Sequence, residues 1–381
     1  MIGSLDLATL QKLWWILASV VGSLFLFLTF VQGGQTLIWQ LGRTEREKSL
    51  IINSIGRKWE LTFTTLVLFG GALFAAFPKF YATSFGGAYW VWIAILFTFI
   101  VQAVSFEYRK KPNNLFGPTV YEAFLFINGA IGILLIGTAV GTFFTGANFV
   151  LDEYNFVKWT TPFRGLEAAQ NIFNVSLGLF LVMNARVLGA LYLLNNIDFT
   201  NMEDFKERTR NAVFTNFIAA LPFLLIVLIG LLTMDGFGVN PNTGVVSIVP
   251  FKYLKNLVEM PIVLVILLAG LALVIFAVYS AKFLKRESGI WFAGLGTVLV
   301  GLAVFFTAGF NNTPFYPSRA DLQSSLTIFN ASSSHYTLTA MTYVALIIPV
   351  VLAYIAYVWK QMDSQKLRPE ELEGPEAQEN Y

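Results

Sequence analysis

The sequence predicts an all-α polytopic membrane protein with about nine transmembrane helices, read as two four-helix bundles plus one extra helix. Three observations carry this reading. Of 381 residues, 56% are hydrophobic and only 13% are charged, against roughly 25% charged in an average soluble domain. Too few charged residues exist to coat that much apolar surface with a water-facing shell. Continuous apolar runs of about 20 residues, enough to cross a bilayer as a helix, recur along the chain. The Lys and Arg residues alternate in density from loop to loop, as orientation in a membrane requires.

In chain order the apolar runs are Leu13–Val31, Trp59–Phe77, Ala88–Phe106, Val120–Phe144, Gln170–Leu193, Ala212–Leu232, Met260–Phe283, Ile290–Phe310 and Met341–Trp359. They are too long and too continuously apolar for the period-two alternation of a membrane β-barrel. The first run is too long for a cleaved signal peptide, and no small-residue cleavage site follows it. Pro78 stops the second. Gly70 and Gly71 inside it are expected to admit a neighbouring helix closely. The loops 145–165, 234–255 and 311–335 carry Gly, Asn, Pro and Ser and read as surface turns. Residues 1–360 read as one transmembrane helical domain, and 361–381 as a polar, disordered cytoplasmic tail. Of the 25 Lys and Arg residues, 17 lie in the loops after runs one, three, five and seven and in the tail, and 7 on the other side. That places the N-terminus outside and the C-terminus in the cytoplasm.

The chain has no Cys and one His, His335. This excludes a disulfide framework and a thiolate-bound metal, and argues against a haem held by two histidines or a Ser-His-Asp hydrolase. His335 itself reads as a solvated or hydrogen-bonding loop residue. A net charge of +2 offers nothing to a nucleic acid.

Ionisable groups within or at the ends of the spans are the candidate functional residues, because they are costly there. Glu60 follows Trp59 at the start of the second span. It reads either as a partly desolvated proton-exchanging carboxyl or as a carboxylate satisfied by the helix N-terminus. Glu107 ends the third span and reads as a second proton carrier or as the partner of the adjacent basic cluster. Glu122 begins the fourth span, where both readings again apply. Arg186 lies inside the fifth span and calls for a carboxylate or lipid phosphate partner. Aromatics near span ends, Trp14, Trp15, Trp39, Trp90, Trp92 and Trp359 among them, read as interfacial anchors.

Several motifs together resemble subunit II of cytochrome bd quinol oxidase. Gly56-Arg57-Lys58-Trp59-Glu60, then Gly70-Gly71-Ala72-Leu73-Phe74-Ala75-Ala76-Phe77-Pro78, is similar to that family's Trp-acid pair and GGALFAAFP-like run. Phe106-Glu107-Tyr108-Arg109 resembles its F-[DE]-Y-R element. Ser325 through Ser334, with Thr337-Leu338 and Met341-Thr342, resembles its loop before the last helix. The resemblance departs at three places. Gln32-Gly33-Gly34-Gln35 stands near the acidic D-G-x-D element of many members, Gln102 where many carry Arg, and Thr65 where a family Trp is expected. Amides do not titrate, so a proton or ion role of that element is not expected here.

The resemblance implies a haem-free subunit of a terminal oxidase that oxidises quinol and reduces oxygen to water in a bacterial inner membrane. It implies a heterodimer with a homologous subunit I that carries haems b and d, with a small accessory subunit, quinol and lipids as further partners. No redox centre is implied in this chain; its part is to stabilise subunit I and to help proton and oxygen access. The family's acids match Glu60 and Glu107, and Glu122 matches a further acidic position; Trp59, Arg109 and Arg186 are expected to be structural or interface residues. The alternative function is a stand-alone secondary transporter, which would need a polar midplane site and broken helices.

Overall fold

Backbone N–H and C=O groups find no partner in hydrocarbon, so each apolar run closes its hydrogen bonds within itself as a helix. The computed structural model describes residues 2–372. Among them, nine helices or helix pairs are long and apolar enough to cross a membrane. The chain is a multi-pass, all-α membrane protein.

The first span is α1 (Leu7–Leu28) and α2 (Phe30–Leu41), meeting at Thr29. The second is α3 (Glu45–Gly56) and α4 (Trp59–Ala76), opened by a capping box between Thr44 and Glu47. A short α5 (Pro78–Tyr81) and a π turn over Ala82–Gly86 lead to the third span, α6 (Tyr89–Tyr108). The fourth comprises α7 (Pro118–Ile127), a π turn over Asn128–Gly132 and α8 (Ile133–Thr145). The fifth and sixth are α9 (Ile172–Asn196), capped by the Asn171 side chain, and α10 (Glu203–Thr233), which carries Pro222 inside it. After α11 (Lys252–Glu259) come α12 (Pro261–Lys282) and α13 (Gly289–Gly309), and last the pair α14 (His335–Ala345) and α15 (Ile348–Met362). Two small antiparallel hairpins, β1 (Phe149–Leu151) with β2 (Val157–Trp159) and β3 (Gly236–Val239) with β4 (Val246–Val249), lie in loops at one end.

Spans one to four pack on one another, and so do spans five to eight; α2 against α9, α8 against α9 and α1 against α13 join the two groups. The ninth span leans on α1 and α4 through α14. Spans one, two and six outrun the apolar runs, at Leu7–Leu41, Glu45–Ala76 and Glu203–Thr233. Hydropathy marks only the stretch in hydrocarbon, whereas a helix continues into water wherever capping and packing support it.

Three expectations need correction. No described helix of this chain packs closely on Gly70 or Gly71: a Cβ on Gly70 would reach Phe85 at an ordinary 3.5 Å, and one on Gly71 would meet nothing within 4 Å. The close approaches lie elsewhere. A Cβ on Gly33 would overlap the Ala185 carbonyl, one on Gly189 the Gly34 amide, and one on Gly137 would come within 2.6 Å of Gly178 Cα. Second, the 311–335 loop is not a surface turn throughout. Phe315, Tyr316, Leu326, Ile328 and Ala331 are buried, with Phe315 packed 4.5 Å from Trp15, centroid to centroid. Third, the expected disordered tail is docked as far as Leu372. Leu367 is buried and bridges to the end of α9, its N–H donating to Asn196 O at 2.8 Å and its carbonyl accepting from Asp198 N at 2.9 Å. The remainder of the expected tail, 373–381, lies outside the described residues.

Substituting Gly33 with Ala is therefore expected to destabilise the protein by at least the about 1–3 kcal/mol typical of overpacking. Gly71→Ala, with open space around it, is expected to be neutral or to stabilise the helix slightly. Paired thermal melts of the solubilised variants measure the difference, and an equal response of the two would contradict the α2–α9 contact.

Candidate functional site

The span ends that bear the 109–111 basic cluster draw four elements together around Glu122. Arg109 caps the C-terminus of α6, and Glu122 lies in the second turn of α7. The corner between them is built by Asn113 and Gly117, both at positive φ, with Asn114 donating to Arg109 O and accepting from Gly117 N. Pro118 then starts α7 with a preset φ. The corner returns the chain so that Glu122 faces Arg109.

Both side chains are 1% exposed. Arg109 Nε and Nη2 donate to Glu122 Oε1 at 3.1 and 2.8 Å. The other oxygen accepts from Lys48 Nζ of α3 and from Trp39 Nε1 of α2, both at 2.9 Å. Arg109 also pairs with Glu45 at the start of α3. The two cations and two carboxylates balance in charge, which lets the group be buried. Four donated hydrogen bonds satisfy both oxygens of the Glu122 carboxyl.

The other predicted acids are not part of this cluster. Glu107 points outward and pairs with Lys111 at 3.4 Å, one helical turn on. Glu60 is exposed at the start of α4 and makes no ion pair among the described residues. Trp59 connects the neighbourhoods of both acids: it stacks on Phe106 with ring centroids 5.9 Å apart and planes at 13°. Among the described residues Arg186 meets no carboxylate. It donates from Nε to Asn216 Oδ1 at 2.6 Å and from Nη1 to Thr36 O at 2.9 Å, and bonds Gln40. The protein partners of Arg186 are thus neutral oxygens on α2 and α10.

Two ion-pair centres were not foreseen. Lys58, 2% exposed, donates to Asp363 Oδ1 at 2.9 Å and lies 5.2 Å from the Trp359 ring centroid. Glu287, between α12 and α13, takes Lys206 at 2.8 Å and also pairs with Lys366. Burial alone would raise the Glu287 carboxyl, but its hydrogen bonds with the two lysines outweigh that and hold it below its ordinary 4.5. Asp363 and Lys366 both belong to the stretch whose composition reads as a tail; a basic residue set within a span end, such as Lys58, is the signal that asks for a distant counterion.

The single imidazole, His335, bonds the Leu5 carbonyl at 2.8 Å. No group of three or more His, Cys, Asp or Glu able to hold a metal occurs among the described residues. These residues do not fit haem ligation by paired histidines.

The family model for cytochrome bd terminal oxidase subunit II matches residues 10–362. The chain is 31% identical over 375 residues to the cytochrome bd-I ubiquinol oxidase subunit 2 of Escherichia coli (strain K12), covering 94% of this chain and 95% of that one. It is 25% identical over 369 residues to the cytochrome bd ubiquinol oxidase subunit 2 of Bacillus subtilis (strain 168), covering 94% and 98%. A chain of the bd oxidase structure from Geobacillus thermodenitrificans shares the fold, with a TM-score of 0.62 at 13% identity, covering 94% of this chain and 100% of that one.

Arg109→Ala leaves Glu122 buried opposite only part of its counter-charge and is expected to cost about 3–5 kcal/mol. Arg109→Met combined with Glu122→Leu is expected to recover most of that loss, and a double variant as unstable as the single one would contradict a closed ion-pair group. For Glu287 the folded pKa is depressed, so its contribution is present above 4.5 and is lost as pH falls below that value. Melting temperature against pH should therefore drop less steeply in acid for Glu287→Gln than for the parent chain.

Proposed function

We propose the following role for this chain, which belongs to the cytochrome bd terminal oxidase subunit II family: it is the haem-free subunit of an oxidase that transfers electrons from quinol to oxygen, forming water. It stabilises a subunit I that carries haems b and d, and it helps protons and oxygen reach the reaction. It holds no redox centre of its own. Its neighbours are subunit I, a small accessory subunit, quinol and membrane lipids. The family match across nearly the whole chain carries this reading, and it displaces the stand-alone transporter.

We place the complex in a bacterial inner membrane, with the N-terminus outside and the C-terminus in the cytoplasm. Residues 1–360 form the membrane domain and 361–381 the cytoplasmic tail. The basic span ends that hold Arg109 and Glu122 then face the cytoplasm, the side from which protons for water are drawn.

The proton route we propose runs past Glu60, Glu107 and Glu122, with different tasks. Glu60 has no ion-pair partner among the described residues and is exposed, so it is available to exchange protons at the boundary with subunit I. Glu107 is held only by an exposed pair with Lys111 at 3.4 Å, which protonation can release at little cost. Glu122 contributes a fixed negative charge rather than a mobile proton, because four donors hold it. Trp59, Arg109 and Arg186 keep these elements in place.

Glu60→Gln is expected to lower oxidase turnover by about tenfold, less than the about 10²–10⁴-fold that a proton-transfer group at a reacting centre supplies. Haem spectra of the purified complex should stay unchanged. Turnover equal to the parent enzyme would remove Glu60 from the route. In Glu107→Gln, proton uptake measured in single turnovers should slow; unchanged uptake would leave Glu107 a surface ion pair.

A further inference from the structure

The first bundle buries a group of amides that the proposed route does not use. Gln32 and Gln35 lie three residues apart on α2, and so on one side of it. Gln102 and Thr98 lie one turn apart on α6, and Asn128 opens the π turn between α7 and α8. Gln32 Nε2 donates to Gln102 Oε1 at 3.2 Å, and Asn128 Nδ2 to Thr98 Oγ1 at 3.3 Å. The two pairs adjoin, since a Cβ on Gly129 would overlap the Gln32 carbonyl.

All four amides are between 0 and 1% exposed. Yet Gln32 Oε1, both polar atoms of Gln35, Gln102 Nε2 and Asn128 Oδ1 have no hydrogen-bond partner among the described residues. Each such atom in an apolar interior costs about 1–3 kcal/mol if left dry.

We propose that this amide group is a binding site for water inside the first bundle, bounded by α2, α6 and the Asn128–Gly132 turn. The unmet atoms are three acceptors and two donors. A buried water makes about three hydrogen bonds, both giving and receiving, so about two waters satisfy the set. A metal cation fits badly: two of the five atoms are amide nitrogens, and the group contains no carboxylate to balance a charge. The group also contains no titratable side chain, so it holds water without taking up a proton. The inference does not depend on the oxidase role, since it rests on burial and hydrogen bonding alone.

Gln35 gives the cleanest test, because neither of its side-chain polar atoms has a protein partner to lose. Gln35→Met keeps the length of the side chain and removes both atoms. With water bound, the substitution strips hydrogen bonds from it, and the melting temperature of the intact complex is expected to fall by about 2 °C or more. In a dry site the same change removes an unsatisfied amide and leaves the melting temperature equal or higher, which would overturn the proposal. Electron cryo-microscopy of the parent complex, at a resolution that shows ordered water, gives an independent reading that does not depend on a variant folding. Density within hydrogen-bond distance of Gln35, Gln102 and Asn128 is expected. Amides closed on one another with no density between them would overturn the proposal equally.

Discussion

The backbone contact between α2 and α9 is the constraint on which the rest of the structure depends. Lipid chains are as apolar as leucine, so the hydrophobic effect does not draw helices together in a bilayer; close packing and polar contacts do. Gly33 and Gly34 on one side, with Ala185 and Gly189 on the other, remove the side chains that would hold the two helices apart. That approach brings Arg186 to the Thr36 carbonyl and to Gln40, so a deep cation is met by α2 itself. It also ties the first group of spans to the second, since α2 belongs to one and α9 to the other.

The protein sorts its polar groups into two kinds of environment. At the basic span ends, charge is balanced by charge: Arg109 with Glu122 and Glu45, Lys58 with Asp363, Glu287 with Lys206 and Lys366. In the bundle interior, Arg186 apart, polarity is carried by neutral amides, carbonyls and hydroxyls. The amides of two departures from the family pattern noted in the sequence, Gln32 and Gln35 of one and Gln102 of the other, fall in the second kind. Exchanging acids and Arg for amides there lowers the desolvation cost of burial while keeping the capacity for hydrogen bonds.

Much of the fold was legible because backbone desolvation makes apolar length nearly sufficient to mark a span. What remained illegible were encounters between distant segments. Gly70-Gly71 and Gly33-Gly34 look alike in one dimension, and only the partner helix tells a packing face from an exposed one. Phe315 and Tyr316 offered a signal that the 311–335 loop turns inward, since two aromatics amid Asn, Pro and Ser have little reason to face water. Arg109 and Glu122 were each visible as charges, yet their pairing depends on the corner at Asn113 and Gly117. Asp363 was hidden by composition: Pro and Glu around it read as disorder, while Lys58, Arg57 and Arg46 pair with Asp363, Glu371 and Glu370 and so tie the segment after the last span to α3 and α4.

The Lys58–Asp363 pair spans 305 residues of sequence, and this has a consequence for how the protein is made. Lys58 enters the membrane early in synthesis, while its counterion leaves the ribosome only near the end. Until then the ammonium must stay in the headgroup region or hold α4 away from its final seat. The last span and the segment after it thus act as a completion step. A chain truncated before Asp363 would contain every span and still leave the Lys58 ammonium without its counterion.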